Sequence, residues 1–207
     1  IWFAGGTILL ASLIAMSQDN LKMRLAYSTV SQLSYIVLGA LLASKMSLLG
    51  GALHITMHAF AKITLFFAAG AILVAANKTL ISDMGGLGRA MPIQFGAFLI
   101  ASLSIIGLPP FGGMWSKWYL GMGAVETGQW LLLSVLMISS LLNIVYLLPI
   151  PIRGFFGKTR DGAQYNAIRE APTSCLLALV ISSLACLLML FYPDPFYQLA
   201  LNAAGGK

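Results

Sequence analysis

Leu53-His-Ile-Thr-Met-His-Ala-Phe-Ala-Lys-Ile-Thr-Leu-Phe-Phe67 decides how this chain is read. The stretch lies inside an apolar run, 48–76, that is long enough to cross a bilayer. As a helix it sets His54, His58 and Lys62 at i, i+4 and i+8, one turn apart on one face. Leu53, Phe60, Ile63 and Phe67 cover much of the opposite arc. The chain has two histidines, and both are here. A lysine at bilayer depth costs about 3 kcal/mol or more, so Lys62 must face protein or water, and by default it marks an ion or proton path. The plain alternative makes the histidines packing residues and lets Lys62 snorkel to an interface. Snorkelling is the weaker half of that alternative, because fourteen residues of the run lie on each side of Lys62.

Outward from this stretch, the composition leaves one class. Mean hydropathy is +0.89, with 59% apolar and 9% charged residues, which specifies an all-α integral membrane protein. Six apolar segments, 1–17, 25–42, 48–76, 93–122, 130–152 and 173–192, are each long enough or nearly so to span about 30 Å of hydrocarbon. The longest polar stretch, 153–172, is too short for a soluble domain. Cys175 and Cys186 form no CxxC and read as small packing residues. The sequence opens at Ile1 already within an apolar segment, as expected for the C-terminal portion of a longer membrane protein.

The net charge of +6 is explained by topology. With the loops 18–24, 77–92 and 153–172 placed on one side, that side holds Lys22, Arg24, Lys78, Arg89, Arg153, Lys158, Arg160 and Arg169, eight of the twelve basic residues. The other side holds Lys45 and Lys207, while Lys62 and Lys117 lie within spans. Eight against two places the basic loops in the cytoplasm. Nothing in this distribution calls for nucleic acid.

The second span is polar in its first half, with Ser28, Thr29, Ser31, Gln32, Ser34 and Tyr35 close together. Such residues either join helices by hydrogen bonds or line a hydrated cavity. The run 19–35, followed by His54-x3-His58-Ala-x2-Lys62-x2-Leu-Phe, resembles the antiporter-like membrane subunits shared by respiratory complex I and the multisubunit Mrp-type cation/proton antiporters. Two long motifs in the right order and spacing carry the resemblance, which covers essentially the whole chain. It implies that 1–152 is the second of two inverted five-helix repeats, its first helix truncated if the chain begins within it. It further implies that 153–172 is a basic cytoplasmic loop and that 173–207 holds a C-terminal transmembrane helix and a short tail. It also implies a multi-pass location in a bacterial or archaeal inner membrane. The partners implied are other membrane subunits of the same complex, the lipid bilayer, and protons or Na⁺. The chain stops fifteen residues after Tyr192. The long lateral helix of the largest family members is not seen, which points to the shorter paralogues, including the D-type antiporter subunit.

The second landmark is Ser102-Leu-Ser-Ile-Ile-Gly-Leu-Pro-Pro-Phe-Gly-Gly-Met-Trp-Ser-Lys117. Pro109 and Pro110 cannot donate to the carbonyls of Ile105 and Ile106, so the helix over 93–122 must break, with Gly107, Gly112 and Gly113 around the break. Bare backbone at membrane depth is tolerated only against protein or a water-filled cavity. Lys117 follows within two turns, and a broken helix beside an intramembrane lysine is how transporters build mid-membrane ion sites. The alternative is a kink that only shapes packing, with Lys117 reaching the outer interface. The resemblance favours the site, because the family's corresponding helix is broken and carries a lysine or glutamate here. Ser139, Ser140, Asn143 and Tyr146 in the fifth span read first as packing polars.

The remaining chemistry is narrow. Asp19, Asp83, Glu126, Asp161, Glu170 and Asp194 all fall in loops or at span ends, so there is no intramembrane carboxylate. The HxxxH spacing lacks the glutamate of a zinc helix, with Ile55 in its place, so no metal site is read. No cofactor site and no nucleophile with a base are found either. What is left is proton handling, since an imidazole can pass a proton between its two nitrogens. Two functions stay open. In one, the chain belongs to a proton- or cation-translocating subunit with no active site of its own, Lys62 being the central carrier, His54 and His58 the relay, and Lys117 the exit-side carrier. Such a subunit would be part of a translocase if its complex is an NADH:quinone oxidoreductase. In the other, the chain is a structural anchor of a redox complex.

Overall fold

Asn20 decides where the second helix begins: its side chain accepts from the Met23 N–H at 3.2 Å and caps a helix over Leu21–Leu42. In the computed structural model, which describes residues 1–109, 111–158, 168 and 170–204, every regular element is helical. The order is α1 (Trp2–Ser17), α2 (Leu21–Leu42), α3 (Lys45–Ala76), two 3-10 turns (Ile81–Asp83 and Leu87–Arg89), α4 (Pro92–Ile106), α5 (Gly113–Glu126), α6 (Trp130–Leu147), α7 (Pro149–Phe156), α8 (Thr173–Phe191) and α9 (Asp194–Ala203).

α3 is the central post and packs against α2, α4, α5, α8 and α9, while α1 packs on α2 and α6. Ser44 and Ser47 close a capping box at its start, and Asn77 ends it in the left-handed region at φ 50°. In lipid, helices associate by close packing of small residues rather than by escape from water. Gly50 serves this purpose, since a Cβ there would lie 2.5 Å from the backbone nitrogen of Leu120 on α5.

α2 is built inside out. Ser28, Ser31, Gln32 and Tyr35, at i, i+3, i+4 and i+7, are all fully buried, whereas Val30, Leu33, Val37 and Leu41 are exposed. That is the arrangement of a helix with lipid outside and polar partners inside.

Several boundaries differ from the sequence reading. Residues 21–24, read as loop, are the first turn of α2 because of the Asn20 cap. The start of the basic loop, Arg153 to Phe156, belongs to α7, which runs on from α6 as one apolar helix, Trp130–Phe156. Residues 194–203, read as a tail, form α9, bent 73° from α8, because prolines are compatible with a helix's first turn. Among the described residues three helices are long and apolar enough to cross a membrane alone, Leu21–Leu42, Lys45–Ala76 and Trp130–Phe156, or four if α8 and α9 make one bent span. α1 and α4 are apolar but shorter, so six independent spans are not seen. Pro110, Arg160, Asp161, Arg169 and Lys207 lie outside the described residues.

The break in the fourth segment falls where the prolines require it. α4 stops at Ile106, Gly107 takes φ +83°, and α5 starts at Gly113 with Gly112 capping it; Pro109 sits in the turn between. Gly113 also permits a close approach, since a Cβ there would lie 1.9 Å from the Ser104 carbonyl oxygen.

Candidate functional site

The face anticipated on α3 is internal: His54, His58 and Lys62 are 3%, 8% and 5% exposed. Lys62 reaches across to α2, where its Nζ donates to Ser28 Oγ at 2.8 Å and to the Leu25 carbonyl at 3.2 Å. The Tyr146 hydroxyl from α6 lies 3.0 Å from the same Ser28 Oγ and donates to Asn143 Oδ1, which also accepts from Gln32 Nε2 at 3.3 Å. A phenol has one proton, so the Tyr146 hydroxyl serves Ser28 Oγ or Asn143 Oδ1 one at a time. The result is a connected network: Lys62 and Tyr146 both meet Ser28 Oγ, and Tyr146 and Gln32 both meet Asn143 Oδ1.

The histidines form a second row. Tyr35 stacks on His54 with ring centroids 5.4 Å apart, and His54 stacks on His58 at 5.9 Å. His54 Nδ1 lies 2.9 Å from Ser116 Oγ, whose own proton goes to the Gly113 carbonyl at 3.0 Å. Ser116 must then accept, which puts the His54 proton on Nδ1 and leaves Nε2 a bare acceptor. Nε2 of both histidines is buried without a hydrogen-bond partner among the described residues.

Lys117 meets the row at Tyr35, its Nζ 5.3 Å from that ring's centroid. It donates to the Ile106 carbonyl at 2.9 Å and to Ser140 Oγ at 3.1 Å. In an unbroken helix the Ile106 carbonyl would receive an N–H from residue 110, and a proline has none. The acceptor freed by the break is the one Lys117 occupies.

The structure thus gathers His54, His58 and Lys62 in the interior and sets Lys117, part-buried, at its edge beside the helix break. It does not join them hand to hand, for among the described residues no hydrogen bond links His58 to Lys62 or His54 to Lys117. The polars of α6, read as packing residues, make hydrogen bonds that reach both lysines: Ser140 accepts from Lys117, and Tyr146, bonded to Asn143, shares Ser28 with Lys62. Ser139 meets Ser12 at 3.1 Å, and Ser12 meets Ser31 at 2.9 Å, tying α1, α2 and α6 together. The spacing of Ser28, Ser31, Gln32 and Tyr35 was the signal for this inner face. Among the described residues no group of three or more His, Cys, Asp or Glu side chains could hold a metal ion.

Comparison with known proteins follows the same lines. A family model described as NADH:quinone oxidoreductase/Mrp antiporter, TM, matches residues 1–143. The chain is 45% identical over 145 residues to NADH-quinone oxidoreductase subunit N of Desulforudis audaxviator, covering 70% of this chain and 29% of that protein. It is 33% identical over 205 residues to NADH-quinone oxidoreductase subunit L of Rickettsia typhi, covering 98% of this chain and 30% of that protein. Its fold matches a chain of the Mrp complex from Dietzia sp. DQ12-45-1b with a TM-score of 0.88 at 23% identity, over 97% of this chain and 45% of that one. It also matches a chain of respiratory complex I from Thermus thermophilus with a TM-score of 0.84 at 23% identity, over 98% and 43%. The chain spans less than half the length of each of these proteins. Motif, fold and family model agree, and the chain belongs to the NADH:quinone oxidoreductase/Mrp antiporter family of integral membrane proteins.

Proposed function

We propose that this chain is the second antiporter-like repeat, 1–152, with a basic cytoplasmic loop at 153–172 and a C-terminal region at 173–207, of a membrane subunit that moves protons, or a monovalent cation against protons. Lys62 is the central carrier, His54 and His58 the relay, and Lys117 the exit-side carrier at the helix break. One observation carries this reading: among the described residues Lys62, buried, and Lys117, part-buried, are held by neutral oxygens alone, near a stacked Tyr35–His54–His58 row. A lysine fixed by a carboxylate would be locked in its charge, whereas one held by hydroxyls and carbonyls is free to give it up. The unpaired Nε2 atoms of His54 and His58 support a path completed by water, since buried polar atoms without protein partners are the usual places for it.

The partners are other membrane subunits of one multisubunit complex, as the names of the relatives suggest. The location is a bacterial or archaeal inner membrane. Redox chemistry, if the complex performs any, belongs to those other subunits.

The test is Lys62→Ala and Lys62→Arg in the full-length assembly, reconstituted in vesicles. Both are expected to lose most proton or cation transport, because Arg keeps its charge at all working pH values. A native gel establishes that the complex is intact. Normal transport in an intact Lys62→Ala complex would favour the anchor instead.

A further inference from the structure

The stacked row fixes the plane of the His54 ring but not the place of its proton. Tyr35 and His58 stack on that ring at interplanar angles of 16° and 20°, and a contact through the ring faces is the same for either tautomer. Turning the ring over by half a rotation also keeps both stacks while exchanging its edges. The edge is decided by Ser116 of α5, whose Oγ lies 2.9 Å from Nδ1. Ser116 and His54 are 0% and 3% exposed, so the contact lies away from the surface.

We infer that Ser116 is a positioning residue that makes His54 a one-sided station, anchored at Nδ1 and open to protons only at Nε2. The inference rests on the reading of His54 as a relay member. The Ser116 hydroxyl has one hydrogen, and it is committed to the Gly113 carbonyl at 3.0 Å. Toward His54 the oxygen can then only accept, so Nδ1 carries the N–H. Beyond Ser116 the next group is a peptide carbonyl, which accepts a hydrogen bond but is too weak a base to take the proton. Passage from Nε2 to Nδ1 and onward thus has no exit. A proton adds to the Nε2 lone pair, giving an imidazolium that keeps its Nδ1–H on Ser116, and is lost again from Nε2. That atom is buried and without a protein partner among the described residues, as a nitrogen reserved for such exchange should be.

The place of Ser116 in the fold ties this anchor to the helix break. It lies in the first turn of α5, whose Gly113 is packed against the Ser104 carbonyl of α4. The next residue is Lys117, which donates to the Ile106 carbonyl and to Ser140. Successive residues of a helix point about 100° apart, so α5 presents Lys117 to α4 and α6 and Ser116 to α3. A shift of α5 that follows Lys117 therefore alters the Ser116–His54 contact, although no hydrogen bond joins the two stations among the described residues. A serine that served packing alone would be satisfied by its own backbone bond, and alanine would replace it without loss.

The test uses the full-length subunit in its assembled complex, reconstituted in lipid at alkaline pH with isotope-labelled histidine, and solid-state magnetic resonance. Subtracting the spectrum of a His54→Phe complex, which keeps a ring in the row, isolates the two nitrogens of His54. The unaltered chain should show a protonated Nδ1 and a bare Nε2; the reverse overturns the proposal. Ser116→Ala should move at least half of the proton to Nε2 and lower transport at least tenfold, and Ser116→Thr, which keeps the hydroxyl, should restore both. A Ser116→Ala complex with the spectrum of the unaltered chain overturns the proposal as well. In a His54→Phe chain, adding Ser116→Ala should lower transport less than twofold further, because its effect runs through His54. A further tenfold loss there means that Ser116 acts on α5 instead, and sinks the proposal. Normal transport in an intact His54→Phe complex would end the relay reading but not the anchor. The spectrum of the unaltered chain decides the anchor even where a variant fails to assemble.

Discussion

Lys62 and Tyr146, on helices whose sequence positions lie far apart, meet at a single atom: the Oγ of Ser28, 2.8 Å from the lysine Nζ and 3.0 Å from the phenol oxygen. Any change in the charge of Lys62 is therefore felt by α6 through one hydroxyl.

Tyr146→Phe removes that link while keeping the ring. Leaving a buried hydroxyl and amide short of a partner costs about 1–3 kcal/mol. Transport by the full-length assembly is expected to fall roughly tenfold, with the complex intact on a native gel. Ser28→Ala should fall by at least as much, because it removes the shared atom itself. Two intact variants with unchanged transport would reduce the cluster to packing.

Lys117 separates carrier from snorkel by its chemistry. Lys117→Glu is expected to keep part of the transport rate: the new group still titrates and can bond Ser140, but it cannot use the Ile106 carbonyl. Lys117→Met should lose most of it. Transport like the unaltered chain in an intact Lys117→Met complex would mean that the path ends elsewhere.

The proposed sidedness is checked with single cysteines in a chain whose Cys175 and Cys186 have been replaced. Lys78→Cys and Lys158→Cys should resist a membrane-impermeant maleimide added outside intact cells, whereas Lys45→Cys should react. Strong outside labelling at position 78 or 158 inverts the orientation.

Gly50→Val tests the α3–α5 contact. A side chain there would meet the backbone of α5, which cannot move aside as a flexible side chain does. Overpacking of this kind costs about 1–3 kcal/mol, so assembled subunit on a native gel should drop roughly tenfold. Gly70→Val is the control, since nothing lies within 4 Å of a Cβ at that position.

Local chemistry made part of the site readable in advance. Helical spacing alone puts His54, His58 and Lys62 on one face, and proline's missing N–H alone breaks the helix after Ile106. What the sequence could not show was choice among equals. Six polar residues crowd 28–35, and only the register of α2 against α3 selects Ser28 for Lys62. Asn143 and Tyr146 looked like packing residues because their partners come from α2. Arg24, counted with a loop, lies in the first turn of α2 and bonds the carbonyls of Gln18 and Tyr146. Its position followed from a cap that one Asn side chain supplies.

The gap between Ile106 and Gly113 has a mechanical meaning as well. An α-helix carries about half a negative charge at its C-terminal end, and α4 ends on the carbonyl that Lys117 grips. A protonated Lys117 is thus an electrostatic latch between α4 and α5. If Lys117 gives up its proton, as the proposed carrier role requires, that latch weakens. On that reading the joint between α4 and α5 and the charge on Lys117 answer to one proton.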